Sequence, residues 1–436
     1  MAGEWQTLSL REAGVTLIDC DHRTPPPADA GYPYVAIPQL RRGRLDLSDV
    51  RRITREHFSE WTRKAKPTEN DVVLSRRCNP GETAFVPLGL EFALGQNLVL
   101  LRADGDRVYP PFLRWLVSGP EWWEQIGKFL NVGAVFDSLR CADVPKFELR
   151  IPPIAEQRAI AQILGTLDDK IELNRRMNET LEAIARAVFK SWFVDFGPVR
   201  AKAEGRDPGL PKPLADLFPD SFEDSELGEI PRGWTVGPIL DSARLLSGGT
   251  PKTNRDDYWG GDIPWASAKD VSQCGDSFLV ETERKITARG LEESATQLIP
   301  ALCSMVVARG ATTGRMALLG DAMAMNQTCY ALATAVETPF ALYCQLRQEI
   351  GSLVHAAHGS VFDTITTSTF ATSKVVLPPL PILKRFEERV DPLFRRILAG
   401  TKACRTLATL RDTLLPKLIS GELRVRDSRR ILTVAA

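Results

Sequence analysis

The feature that most restricts this chain is that it repeats itself at an offset of about 230 residues, which implies two related units rather than several unrelated ones. Trp5 in EWQTLSL faces Trp234 in RGWTVGPI, and Pro33 in YPYVAIPQL faces Pro264 in DIPWASAKD. LSRRCNPGETAF then lies over VARGATTGRMAL, pairing Arg76 with Arg309 and Gly81 with Gly314, after which Gln96 falls against Gln327. VFDS and VFDT align Phe136 with Phe362 and Asp137 with Asp363. The pairs Pro152-Pro153 and Pro378-Pro379 close the match at an offset of 226.

Each half ends in a long helical pattern. Steps of four and three from Ile160 give Leu164, Leu167, Ile171, Asn174, Asn178, Leu181, Ala185, Val188 and Trp192. Adding 226 gives Phe386, Val390, Leu393, Ile397, Gly400, Cys404, Leu407, Arg411, Leu414 and Leu418. Eight of ten are apolar in each set, the signature of a coiled-coil seam, and two such seams in one chain can pair with each other. Asp391-Pro392 reads as an N-cap followed by Pro at the first helical position, so a short helix is expected to end there and the long one to begin, with Gly165 as the equivalent break. Asn174 and Asn178 either lie in the seam, where they would fix its register, or face solvent.

With 436 residues, 44% hydrophobic and 25% charged, the chain has apolar material for several cores and is not disordered. Fifty-five basic and 55 acidic residues cancel, so any surface for nucleic acid must be local. The start of the chain lacks the pattern of a signal peptide and no run of 18 apolar residues occurs, which predicts a cytoplasmic chain that does not enter a membrane. The eight cysteines form no CxxC pair and read as free, mostly buried thiols.

Searches for chemistry fail class by class. Gly310 to Arg315 lacks the lysine and spacing of a phosphate loop. Asp195-Phe196-Gly197 has no accompanying kinase motif, and there is no GxSxG elbow. His355 and His358 have no carboxylate to complete a metal set, so no metal is expected. Glu283-Arg284-Lys285 lies about 60 residues from its nearest Pro-Asp partner, Pro219-Asp220, and makes no nuclease motif. What remains is a binding surface. Residues 41 to 77 hold eleven Lys/Arg against six acids, 11 − 6 = +5, which is either a solvated charged face or a patch for phosphates.

LRIPPIAEQRAIAQILGTLDDKIELNRRMNETLEAIARAVFKSWFVDFGPVRAKAEG resembles the central conserved region of the specificity subunits of Type I restriction-modification enzymes. SGGTPKTNRDDYWGGDIPWASAKD and ARGATTGRMAL resemble the opening and middle of that family's target recognition domains, and LPPLPILKRFEERVDPLFRRI its distal conserved region. The chain departs from the pattern at Ile382-Leu383-Lys384, where Glu-Gln-Arg is usual. It departs again in the first domain, where HRTPPPADAGYPY stands in place of a Gly-Gly-Thr-Pro opening.

The resemblance implies an α+β fold in which two duplicated α/β target recognition domains are separated by two long antiparallel coiled-coil helices, with pseudo-twofold symmetry. The expected divisions are a first recognition domain (1–150), the central helix (151–196), an exposed connector (197–231) and a second recognition domain (232–376). The distal helix (377–424) and a tail (425–436) follow. It also implies a non-catalytic subunit that binds bipartite double-stranded DNA, one half-site per domain. Its partners would be two modification subunits, which methylate adenine with S-adenosylmethionine, and up to two restriction subunits, which use ATP and Mg to translocate and cut; this chain itself would bind no cofactor.

Arg reads guanine and Asn or Gln reads adenine, while Lys and backbone amides hold phosphates. The DNA-binding candidates are therefore Arg41, Arg42, Arg76, Arg77 and Gln96 in the first domain and Thr250, Lys252, Lys269, Arg309 and Arg315 in the second. A helix over 167–192 would be about 39 Å long, near the ~34–36 Å between half-sites one DNA turn apart, so the helices could set that spacing. Lys190, Trp192 and Phe193 close the first helix and are either partner contacts or a cap on the helix core. A free-standing DNA-binding protein and a coiled-coil scaffold that never meets DNA are the competing readings.

Overall fold

The computed structural model describes residues 4–133, 137–358 and 364–425. Phe136, Phe362 and Asp363, matched above, lie outside the described residues, as does the side chain of His358. The chain divides into two compact units: one holds the residues up to Asp169 together with those from Leu407 on, the other Lys170–Thr406.

In the first unit a four-stranded antiparallel sheet runs in the order Val15–Asp19, Leu98–Ala103, Val72–Ser75, Thr83–Phe85. Its two central strands are buried on both faces and so read as unbroken apolar runs. Their side chains still alternate. Val72, Leu74, Val99 and Leu101 pack toward the helices Pro110–Leu116 and Pro120–Phe129, whereas Val73, Leu98 and Leu100 pack toward Val35, Ala84 and Phe92. A second sheet has the order Arg51–Ile53, Tyr32–Val35, Ala93–Leu94, the last two strands parallel. Gln6–Ser9 pairs with Glu148–Ile151 and closes the unit.

The second unit repeats this plan. Its main sheet runs Ala243–Ser247, Cys329–Thr334, Ser304–Val307, Met316–Leu319, Phe278–Leu279. The smaller sheet runs Arg284–Ile286, Trp259–Ala266, Met323–Met325, Leu298–Ile299. The parallel pair recurs at the matching place, Tyr34 opposite Ala93 in one unit and Trp265 opposite Ala324 in the other. Thr235–Pro238 with Lys374–Leu377 closes it, as the terminal pair closes the first unit.

Two helices of 40 residues, Ile154–Phe193 and Leu380–Ile419, carry the seams. Each is about 60 Å long and neither is broken at Gly165 or Asp391-Pro392, which corrects the shorter helix read from the sequence. Pro392 removes one backbone donor, but Val390, Phe394 and Ile397 around it are fully buried and hold the turn. Asp391 binds Arg395 Nε one turn later, at 2.9 and 2.7 Å, instead of ending a helix.

The helices run antiparallel within each unit that contains them. In the second, Asn178 Nδ2 donates to Thr401 Oγ1 (3.2 Å) and the Cys404 thiol to the Ile171 carbonyl (3.5 Å), and the Phe189 and Phe386 rings lie 5.5 Å apart. In the first, Arg411 Nη1 meets Asp168 at 2.7 Å. Ile160, Leu164, Leu167, Ile171, Trp192, Phe386, Val390, Ile397, Leu414 and Leu418 are buried; Leu181, Val188, Leu393 and Leu407 are half-buried against the same cores. Asn178 is buried in the seam, whereas Asn174 is half-buried.

The stretch 197–231 is not an exposed connector. It forms the helices Gly197–Ala203 and Lys212–Ala215 and a hairpin, Phe222–Ser225 with Gly228–Pro231, and Val199, Phe218 and Ile230 enter the second unit's core. Gly205, Gly209 and Pro219 lie between these elements and Pro198 and Pro213 sit in the first turns of the two helices, while the buried apolar residues outweigh the polar composition.

Candidate nucleic-acid interface

The first strand of each main sheet leads into a Thr-Pro step, Thr24-Pro25 in one unit and Thr250-Pro251 in the other, with both prolines buried. The residue just before each threonine is fixed through its carbonyl. Tyr34 Oη donates to the Arg23 carbonyl at 3.0 Å, and Trp265 Nε1 donates to the Gly249 carbonyl at 3.0 Å. The threonine then meets an exposed glutamine that precedes the second strand of the sheet. Gln96 Nε2 donates to Thr24 Oγ1 at 3.1 Å, and the Thr250 hydroxyl donates to Gln327 Oε1.

The first unit therefore keeps the Thr-Pro of the opening motif and replaces only its glycines, with His22-Arg23. Gly249 is constrained because a Cβ there would come within 2.6 Å of the Ala295 backbone. Arg23 has room to pair with Asp21 and Glu60 and to lie 4.5 Å over the Trp61 ring. Sequence comparison passed over Thr24 because it weighed the missing glycines; the dipeptide Thr-Pro was the signal.

The arginine match needs correction by one residue. Arg76 N–H donates to the Asn97 carbonyl (2.9 Å) as Ala308 N–H donates to that of Thr328 (2.9 Å), and Leu139 N–H donates to Arg76 as Ile365 N–H donates to Ala308. Arg76 is thus equivalent to Ala308, and Arg77 to Arg309. The loop from the strand to its glycine is one residue longer in the second unit. Gly81 N–H returns to the Ser75 carbonyl, whereas Gly314 N–H returns to that of Val307.

These glycines are set by packing. Both have positive φ (97° and 88°), and a Cβ would strike Trp123 and Ile126 at 2.9 Å in one unit and Val354 at 2.5 Å in the other. They let the loop lie against a helix.

Arg76 turns inward. Its Nη1 donates to the Leu139 carbonyl at 3.3 Å, its Nη2 lies 3.2 Å from His22 Nε2, and its Nε is buried with no partner among the described residues. Asp19, Cys20 and His22 gather there with ligand atoms within 4.8 Å of one another, but the fixed guanidinium opposes a metal ion at that place. Burial raises the Cys20 thiol above its ordinary range, and the thiol donates to the Gly95 carbonyl at 3.3 Å, beside the loop that carries Gln96.

Arg77 and Arg309, in contrast, are exposed, and among the described residues neither side chain makes a hydrogen bond or ion pair. Arg315 is likewise exposed and unpaired. Lys252 is exposed, and Lys269 is held by Glu283 at 2.6 Å. Arg41 pairs with Asp46 (2.9 Å). Arg42 sits at a hairpin tip with φ 50° and lines a cavity of about 310 Å³ with Arg114, Asp168 and Arg411. Gln96 lines a different cavity, about 600 Å³, with Thr24, Gln39, Cys78 and Asn79.

The basic window is not one patch. Arg44 is drawn to Asp168, Lys64 to Asp21 and Lys66 to Glu91, while Arg51 and Arg52 donate to the carbonyls of Pro25 and Gly31. Arg42, Arg55, Arg63 and Arg77 are left without such a bond among the described residues.

Of the proposed partner contacts, Lys190 is exposed and bound to Asp195 at 2.6 Å. Trp192 and Phe193 are only 4% and 8% exposed, packed with Phe189, Phe218, Trp234 and Phe386, so the aromatic end of the helix belongs to the core. The stretch that follows folds back over it, which is why a terminal position became an interior one.

The family described as Type I restriction modification DNA specificity domain matches residues 26–183 and again residues 231–403. The specificity subunit of the Type I restriction enzyme HindI from Haemophilus influenzae is 27% identical over 403 residues, spanning 81% of this chain and 87% of that one. That of MjaIX from Methanocaldococcus jannaschii is 27% identical over 410 residues, spanning 91% and 85%. The crystal structure of a Type I restriction-modification S subunit from M. genitalium shares the fold, with a TM-score of 0.59 at 15% identity over 95% of this chain and 96% of that one. With a twice-matched family domain laid over two units of one topology, the chain belongs to the DNA specificity subunits of Type I restriction-modification systems.

Proposed function

We propose that this subunit binds a bipartite double-stranded DNA target, one half-site to each unit, and serves as the scaffold for modification subunits that methylate adenine and restriction subunits that translocate and cut. S-adenosylmethionine, ATP and Mg would act on those partners. The observation that carries this reading is the recurrence of one exposed constellation in both units: an arginine at the end of an inner strand with no side-chain partner among the described residues (Arg77, Arg309) and, at the start of the neighbouring strand, a glutamine held by a threonine (Gln96 by Thr24, Gln327 by Thr250). Arginine supplies charge for phosphate and the carboxamide supplies a donor and an acceptor for a base edge. Two copies of one reading surface suit a target made of two parts.

The test is a genome-wide map of methylated adenine in cells that carry this chain with its modification subunit, compared with cells carrying that subunit alone. A new split motif, two short half-sites around a fixed gap, is the expected result. Soluble, associated proteins that leave no new mark would overturn the proposal and favour a scaffold that does not meet DNA.

A further inference from the structure

We infer that Gln96 and Gln327 are equivalent base readers, each contacting the adenine of an A·T pair at the same position of its half-site, and that Thr24 and Thr250 position them. This rests on the proposed function and goes beyond it by naming the residues and the base.

Four observations point to this assignment. Both glutamines are exposed, so their carboxamides are available to a ligand. Each is nevertheless tied on one side to a threonine hydroxyl. Each threonine stands between a carbonyl fixed by an aromatic side chain and a buried proline, so its own backbone is firmly placed. The surroundings of the pair, finally, are not shared: His22, Arg23 and Tyr34 in one unit correspond to Gly248, Gly249 and Trp265 in the other.

A carboxamide has two N–H donors and one carbonyl oxygen. Gln96 gives one N–H to Thr24; with the N–H trans to the oxygen used in this way, the other N–H and the oxygen remain side by side, the pattern that matches N7 and N6–H of adenine. In the second unit the amide is turned the other way, its oxygen accepting from Thr250, and it makes a half-turn on binding adenine so that its nitrogen donates to the threonine instead. A free glutamine must first surrender its rotamer freedom to bind, and one already tethered surrenders less. Arg77 and Arg309 are suited to phosphate instead, because each is an exposed cation beside this edge.

The test uses the full chain with its modification subunits and a DNA library in which each position of the mapped target is varied singly. Gln96→Ala should cut discrimination about tenfold or more at one A·T position of one half-site, and Gln327→Ala should do so at the equivalent position of the other. Thr24→Val should reduce discrimination at the Gln96 position and Thr24→Ser should restore it, because only the hydroxyl is needed. Thermal unfolding should be unchanged in the glutamine variants, whose side chains are exposed.

Equal weakening at every base, or no change at all, would overturn the assignment while the wild-type subunit still bound its split target. A wild-type subunit with no sequence preference would overturn the proposed function itself.

Discussion

Arg76 and Arg77 are neighbours in sequence and opposites in setting. Arg77 is a surface cation, without a side-chain partner among the described residues, equivalent to Arg309. Changing either to Ala should weaken binding to all DNA sequences alike and lower the slope of log affinity against log salt by about one unit. A changed base preference would make the residue a reader instead. Arg76→Ala should act on stability, since its guanidinium bridges the Leu139 carbonyl and His22; a loss of about 1–3 kcal/mol in chemical unfolding is expected. The sequence showed that an arginine recurs but could not place it within one residue, because the glycine used as an anchor follows a loop of different length in each unit.

Glu387 makes a second prediction at this scale. Its carboxylate accepts the Phe340 and Ala341 N–H groups (3.1 and 2.9 Å) at the start of the helix Pro339–His358, yet burial pushes its pKa up to about 7 from 4.5. The folded value is the higher one, so folding takes up a proton. The stability from this proton is full below pH 4.5 and is lost as pH rises through 7, by up to about 3 kcal/mol. Glu387→Gln should flatten that part of the stability-versus-pH curve. An unchanged curve would show that Glu387 keeps its ordinary pKa.

Among the elements, the long helices were the most legible, because a repeating apolar stripe must be buried wherever it occurs. Their ends and breaks were not, because Asp391-Pro392 obeys a local rule that the burial of Val390, Phe394 and Ile397 overrides. The seam also explains its own exceptions. Arg411 is paired with Asp168, and Gly400 leaves space for Asn178, whose Oδ1 would lie 2.5 Å from a Cβ at position 400. Gly400→Ala should therefore destabilise by about 1–3 kcal/mol. In an Asn178→Ala background the same change should cost far less, since alanine is the better helix former by ~1 kcal/mol. Additive costs in a double-mutant cycle would show that the two residues do not share this space.

For the whole molecule, duplication was readable from sequence and the structure restates it as topology: the strand order of the first unit's two sheets and its parallel pair recur in the second, which adds one strand to each sheet. The stretch 197–231 was misread because its Pro, Gly and charge suggest a linker, whereas Val199, Phe218 and Ile230 are buried. The candidate DNA-facing residues were only partly legible. Gln96 and Arg309 stood out by recurrence, but Thr24 joins Gln96 only through folding, at a separation of 72 residues.

The most direct test of one half-site per unit is to replace residues 24–133 with the matching segment of another specificity subunit and map methylated adenine again. One half of the split motif should change, with the other half and the gap preserved. A motif altered in both halves, or one left entirely unchanged by a folded and assembled chimera, would contradict the division of reading between the two units.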